Sequence, residues 1–201
     1  MKAVPIMIFA AILASRAGPA QAIELNPFSA IKGAVEAIFE DRSGDDIAKD
    51  LEIKVKITAE VIDKMGTDAI SIGVDVYEQD VMLSGVAENA KQKAEAEKLS
   101  RAVEGVKKLY NEILVIKAID KKKGAVEGFV DDTVIESKIN ALLLDAGGVN
   151  VTNFRWRSVG GRVYLFGRAL SKAELKKAIG IVRDIEGVAK VTSHVKVRPK
   201  S

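Results

Sequence analysis

The residue types that most often transfer protons or bind metals are scarce in this 201-residue chain. It holds a single histidine, His194, and no cysteine. Sites that need two imidazoles, an imidazole beside a thiolate, or several soft metal ligands therefore cannot form. The adjacent carboxylates Asp45–Asp46 and Asp131–Asp132 are candidates for acid and base chemistry. Both pairs precede predicted helices, where the helix dipole favours negative charge. We interpret them as helix-start residues, and predict no catalytic residue and no metal site.

The glycine pair Gly160–Gly161 raises a second kind of chemistry, phosphate binding by backbone N–H groups. A phosphate-binding loop leads directly into a helix, whereas this pair lies between two apolar runs whose alternation predicts strands. We interpret it as a hairpin turn. The sequence therefore predicts no cofactor, and a protein that acts by binding rather than by catalysis.

Three blocks of sequence occur twice, and each second copy follows the first by 82 residues. Val81–Gly85 matches Val163–Gly167, whose first residue numbers differ by 82. Val103–Val106 matches Ile185–Val188 at the same spacing, and the helical positions Ile53 and Ile57 match Ile135 and Ile139 without a gap. One constant spacing across three separate blocks indicates two domains of one fold.

Each copy shows the same order of predicted elements. Apolar residues at four-residue spacing predict a first helix, from Asp46 to Lys64 in the first copy and capped by Asp132 or Thr133 in the second. A β-hairpin, a second helix and a last strand follow. The fold class is α+β: two tandem α-β-β-α-β domains, each a mixed three-stranded sheet packed on two helices. The predicted bounds are 46–117 and 131–198, with a polar linker over 118–130.

Two short motifs point to a known family. Val-x-Leu-x-Gly closes each hairpin and Glu-Gly-Val precedes each last strand, which makes four glycines the structural motif residues: Gly85, Gly105, Gly167 and Gly187. In this order the repeat resembles the BON domain of double-BON periplasmic proteins, both the osmotically inducible kind and the outer-membrane lipoproteins, but without the cysteine that carries the lipid. The resemblance implies a role in envelope integrity and stress tolerance, often through phospholipid binding, and no catalytic residues.

The first residues predict export. Lys2, an apolar run from Ala3 to Ala14, and Ala20-Gln21-Ala22 have the order of a secretory signal peptide over residues 1–22. We therefore expect a periplasmic chain with no lipid anchor and no transmembrane helix, since the apolar run is shorter than the roughly 20 residues that span a bilayer. Residues 23–44 predict an amphipathic N-terminal helix. Its polar residues are of mixed sign, which favours packing against protein over lying on a membrane.

Charge separates the two halves of the chain. Residues 23–118 hold 13 basic and 19 acidic residues, whereas residues 119–201 hold 16 and 9. Strand alternation directs one set of side chains away from the helices of the second domain. This set is basic and aromatic: Arg155, Arg157, Tyr164, Phe166, His194 and Lys196. The equivalent positions of the first domain include Asp75 and Glu112. We call these two surfaces the basic face and the acidic face.

Three interpretations of the basic face stay open. It binds anionic phospholipid head groups, where each Lys or Arg contributes about 1 kcal/mol; it docks on the acidic face; or it is an ordinary solvated surface. The alternation predicts that the face is partly open. The expected partner is an anionic membrane surface, with envelope proteins as the alternative and no nucleic acid, which an exported protein rarely meets. The oligomeric state is not predicted.

A second candidate for membrane contact lies at the start of the second domain. Phe129, Val130 and Val134 form an apolar group there. Such residues either enter a membrane or pack as a staple on the helix that they precede. Packing is favoured, because the helix position that would insert holds Val134 rather than a large aromatic residue.

Overall fold

The computed structural model describes residues 42–116 and 131–198. The predicted signal peptide, nearly all of the predicted N-terminal helix, the predicted linker, and Phe129 and Val130 lie outside these ranges. The elements of the first domain are α1 Gly44–Met65, β1 Ile72–Tyr77, β2 Asp80–Ala87, α2 Ala90–Ala102, β3 Lys108–Asn111 and β4 Leu114–Val115. Those of the second are α3 Asp132–Asp145, β5 Phe154–Val159, β6 Arg162–Ala169, α4 Lys172–Arg183 and β7 Lys190–Val197. The order confirms two tandem α-β-β-α-β domains.

Local signals begin and end the first helix of each domain. Ser43 caps α1 by accepting a hydrogen bond from the Asp46 backbone N–H, and Gly66 ends it with a φ of 58°. The cap of α3 is Asp131, which accepts from the Thr133 N–H at 2.8 Å. The predicted cap, Asp132 or Thr133, is therefore wrong by one or two residues, because the side chain of Asp132 turns instead to the hairpin of its own domain.

Both sheets are mixed, as predicted. In the first domain β2 pairs antiparallel with β1 and parallel with β3 and β4. In the second, β6 pairs antiparallel with β5 and parallel with β7. The last strand of the first domain, predicted as one strand to Ile116, is split in two. The amide of Asn111 donates to the Lys93 carbonyl and to Glu97 while its oxygen accepts from the Ile113 N–H, and these bonds turn the chain between the two short strands.

Two equivalent glycines let β2 and β6 pass close to a neighbouring backbone. Gly85 and Gly167 have φ values of +103° and +112°, in the region that favours glycine. A Cβ atom at Gly85 would overlap the carbonyl oxygen of Ser71, and one at Gly167 would overlap that of Asn153. The same positions close the Val-x-Leu-x-Gly motif, so the motif marks a backbone crossing.

Helices cover one face of each sheet, and the other two faces cover each other. Ile57 and Leu83 belong to the core between helices and sheet in the first domain, and Ile139 and Leu165 to its counterpart in the second. A third buried cluster joins the two sheets: Tyr77, Met82, Val159, Tyr164 and Phe166. The molecule therefore has four layers in the order helices, sheet, sheet, helices. The prediction of a partly open basic face is wrong, because the acidic face lies on it.

Candidate functional site: the interface between the two sheets

The basic face meets the acidic face through an aromatic centre. Tyr164 and Phe166 are almost fully buried there, next to Met82 and Tyr77 of the first domain. The ring of Tyr110 packs edge-on against Phe166, with centroids 6.0 Å apart. Tyr164 and Phe166, which the sequence analysis had listed as candidates for lipid contact, are therefore buried between the two sheets.

The first ion pair of the interface joins Arg157 to Asp75 at two points. The guanidinium Nε lies 3.0 Å from Asp75 Oδ2, and Nη2 donates to Oδ1 at 3.0 Å. Lys54 of α1 adds a second positive charge 3.9 Å from Oδ1. The Asp75 side chain is 6% exposed and that of Arg157 40%. A carboxylate this deeply buried needs the cation beside it, because an unpaired buried charge is strongly destabilising.

A second polar contact of the interface, between His194 and Glu112, lies across the sheet from the first. His194 Nε2 is 2.7 Å from Glu112 Oε1, and its imidazole stacks on the ring of Tyr110 with centroids 4.1 Å apart. Stacking and hydrogen bonding together fix the plane of the imidazole. The one histidine of the chain is therefore an interface residue.

The remaining cations of the face surround the first hairpin turn. Lys196 Nζ lies 2.5 Å from Asp80 Oδ2, and Arg198 Nη1 lies 3.1 Å from Glu78 Oε2. Arg168 approaches the other oxygen of Glu78 at 3.6 Å. Within the described ranges, Asp75 Oδ2, Glu78 Oε2 and Asp80 Oδ2 are buried without a hydrogen bond of regular geometry. Each of these oxygens nevertheless has a cation at 2.5–3.1 Å, which offsets part of its desolvation.

Arg155 completes the set of six predicted residues. Its guanidinium lies over the ring of Tyr77, 5.5 Å from the centroid, and donates to the carbonyls of Thr152 and Phe154. The structure thus brings all six predicted residues to one surface, and that surface lies against the first domain. Several interface residues were missed, among them Glu78, Asp80 and Arg168. Arg168 could have been predicted, because strand alternation places it on the same face as Phe166. Glu78 and Asp80 could not, because acidic residues at a hairpin turn are most often solvated.

A model of one protein family matches this chain twice, over residues 49–117 and 131–199, and the family is the BON domain. The chain belongs to the BON domain family. The two matches cover both sheets and, apart from the first turn of α1, the four α-helices of the described residues. Each side of the interface is therefore contributed by one BON domain. The resemblance read from the two sequence motifs is thereby confirmed.

Several curated proteins are similar to this chain at moderate identity. An uncharacterized protein of Anaplasma centrale is 34% identical over 128 residues, covering 64% of this chain and 82% of its own. The osmotically-inducible protein Y of Escherichia coli is 31% identical over 149 residues, covering 74% and 73%. A 21 kDa hemolysin of Actinobacillus pleuropneumoniae is 28% identical over 167 residues, covering 83% and 76%.

The interface between the BON domains changes the proton affinity of one aromatic residue. Burial raises the pKa of the Tyr164 phenol above its usual value, and the negative charge of Glu112 raises it further, while Arg162 acts in the opposite direction. The phenol therefore stays neutral at any physiological pH.

In the described parts of the chain no group of three or more acidic or histidine side chains is placed to hold a metal. The same parts contain no helix with the length and apolar composition of a membrane span.

One of the membrane-contact candidates, Val134, lies on α3, on the outer, helical side of the second BON domain. Of the three, only Val134 falls within the described residues, where it is 43% exposed on α3. The same helix exposes Leu142 by 47% and Leu144 by 69%. We call Val134, Leu142 and Leu144 the α3 apolar surface.

Proposed function

We propose that this double-BON chain is a non-enzymatic periplasmic protein that maintains the envelope under osmotic stress and binds anionic phospholipid surfaces. Support for the stress role comes from family membership and from the relative named for osmotic induction. The periplasmic location rests on that relationship and on the secretory pattern of residues 1–22. The absence of catalysis rests on the residue types present, one histidine and no cysteine.

The α3 apolar surface is the proposed place of membrane contact. The basic face, our first candidate, is buried against the acidic face, and its cations are paired with carboxylates. The α3 apolar surface instead points to solvent with three large aliphatic side chains. Covering these side chains would be favourable, because it removes apolar area from water. Lys138 follows Val134 by one helical turn and is half exposed. Its ion pair with the exposed Glu186, at 3.8 Å, is weak enough to be exchanged for a lipid phosphate.

A second candidate function is that of an adaptor for envelope proteins. The observation that favours it is an apolar stripe on α1, where Leu51, Val55 and Ile62 are all largely exposed. The charges beside the stripe are mixed in sign, as in the exposed ion pair of Glu52 and Lys56. Mixed charge suits a protein surface better than an anionic membrane.

Vesicle co-sedimentation of residues 23–201 tests both candidates. Two variants are compared: Val134→Glu with Leu144→Glu on α3, and Leu51→Glu with Val55→Glu on α1. We expect binding to vesicles rich in phosphatidylglycerol and cardiolipin, weakened by salt, and none to zwitterionic vesicles. The α3 variant should bind at least about tenfold more weakly, since it loses more than about 1.4 kcal/mol of apolar burial.

The α1 variant carries the same added charge and serves as the matched control. We expect it to bind vesicles as the unmodified chain does. Lack of binding to every vesicle would refute the lipid function and leave the adaptor. Equal loss in both variants would remove α3 as the contact surface.

A further inference from the structure

Two side-chain pairs of the interface join residues that occupy equivalent positions in the two repeats. Asp75 and Arg157 are separated by 82 residues in the chain, and so are Glu112 and His194. This is the spacing of the sequence repeat itself. Met82 and Tyr164 differ by the same number and belong to the same buried interdomain cluster. Residues of the two BON domains therefore face their own counterparts.

A residue that faces its own counterpart lies on the two-fold axis of an isologous dimer. The two domains are thus packed like the halves of a symmetric dimer, with Asp75 and Arg157 at one point of the axis and Glu112 and His194 at another. In a true symmetric dimer the same residue would meet itself at each point. Two Asp75 carboxylates, or two Arg157 guanidinium groups, would then be pressed together, which costs free energy at a desolvated contact.

We propose that the two sheet faces recognise unlike BON domains only, with the two axial pairs, Asp75–Arg157 and Glu112–His194, as the specificity determinants. Contact through these faces, within one chain or between two copies, then always joins a first domain to a second domain. The acidic face excludes another acidic face, and the basic face excludes another basic face. This inference does not depend on lipid binding.

The size of the side chains supports the same selectivity. Ser84 and Phe166 occupy equivalent positions, and both are almost fully buried in the described structure. When a first domain packs on a second domain, the small Ser84 and the large Phe166 share this part of the interface. Two second domains would bring two phenylalanines there, and two first domains would bring two serines, so that either like pairing is overfilled or underfilled.

Two complementary full-length variants test the proposal. The Asp75→Arg chain places two arginines at the first axial point, and the Arg157→Asp chain places two aspartates there, so each alone should lose its internal contact and expand. When mixed, the altered first domain of one chain matches the altered second domain of the other, and the two unaltered domains also match. We expect an equimolar mixture to form a dimer of twice the chain mass by light scattering, at least about tenfold tighter than any self-association of either variant.

The controls keep the outcome specific. Glu52→Lys and Lys56→Glu make the same charge changes at an exposed ion pair of α1, and their mixture should stay monomeric. Combining Asp75→Arg and Arg157→Asp in one chain should restore a compact monomer by small-angle scattering, which also shows that the changes permit folding. The second axial point allows the same design with Glu112→Lys and His194→Glu.

Three results would overturn the proposal. The proposal fails if either single variant stays as compact as the unmodified chain, if either dimerises with itself as tightly as with its complement, or if two expanded variants do not pair when mixed. The circular dichroism of each variant, compared with that of the doubly substituted chain, confirms that folded chains are being compared.

Discussion

At the scale of single residues, the glycines of the Val-x-Leu-x-Gly motif are set by backbone geometry. Gly167 combines a φ of +112° with close approach to the Asn153 carbonyl, and Gly85 repeats both features in the first domain. The sequence identified these residues by motif but contained no reason for them. The reason appears only when the neighbouring backbone is in place.

The substitution Gly167→Ala should therefore be costly. We expect it to lower the free energy of unfolding by about 3 kcal/mol, since alanine is strained at this φ and its Cβ displaces a carbonyl. Urea denaturation measures the change. The control is Gly180→Ala in α4, where a Cβ meets open space and alanine should stabilise the helix by about 0.5–1 kcal/mol. Equal effects of the two substitutions would contradict the crossing explanation.

At the scale of elements, an aspartate in the first helix of each domain holds the hairpin turn. Asp50 accepts hydrogen bonds from the Glu78 and Gln79 N–H groups. Its equivalent, Asp132, accepts from the N–H groups of Gly160 and Gly161 at 2.7 and 3.0 Å. The helix and the hairpin are thus joined by charge-assisted bonds as well as by apolar packing.

The substitution Asp132→Asn tests this connection. The substitution replaces one carboxylate oxygen by an NH₂ group, which donates hydrogen bonds. The side chain can then no longer accept hydrogen bonds from both the turn N–H groups and the Ser158 hydroxyl. We expect a loss of about 1–3 kcal/mol in the free energy of unfolding, measured by the midpoint of urea denaturation. Asp145→Asn, at the exposed end of the same helix, should change it by less than about 0.5 kcal/mol. A neutral result at Asp132 would show that packing alone holds the hairpin.

At the scale of the whole molecule, the docking of the two domains should depend on alkaline pH. Because the pKa of Tyr164 is raised in the folded protein, its contribution to stability is fully present below the ordinary tyrosine pKa of about 10. That contribution is lost as the pH rises through the folded pKa, since unfolding or separation then releases a proton.

We expect the domains to separate or unfold above about pH 10, seen as a larger radius of gyration together with tyrosinate absorbance. Tyr164→Phe removes this ionisation and should shift the transition to higher pH. Lys108, whose pKa is raised mainly by its hydrogen bond with Tyr110, contributes in the same direction and is unchanged in the variant. An identical transition in both proteins would assign the effect to other groups.

The sequence by itself determined the repeat, the order of elements and the composition of each sheet face. These follow from local periodicity: alternation places Phe166 on one side of a strand and Leu165 on the other, whatever surrounds the sheet. The same reasoning selected all six residues of the basic face. It failed at Asn111, whose side chain splits a predicted strand by bonds to a helix that lies 14 and 18 residues away.

Only the tertiary structure decided what covers the basic face. Arginines spaced two apart among aromatic residues suit a lipid phosphate and an acidic protein surface equally well, because both offer anionic oxygens. The choice depends on whether the acidic face can reach the basic one with matching shape, which brings together residues 82 positions apart such as Asp75 and Arg157. Strand alternation and helix periodicity extend over only a few residues, so they cannot show that residues 82 positions apart meet. Because the two repeats pack against each other, the basic face, which was predicted to be partly open, is buried between the two sheets.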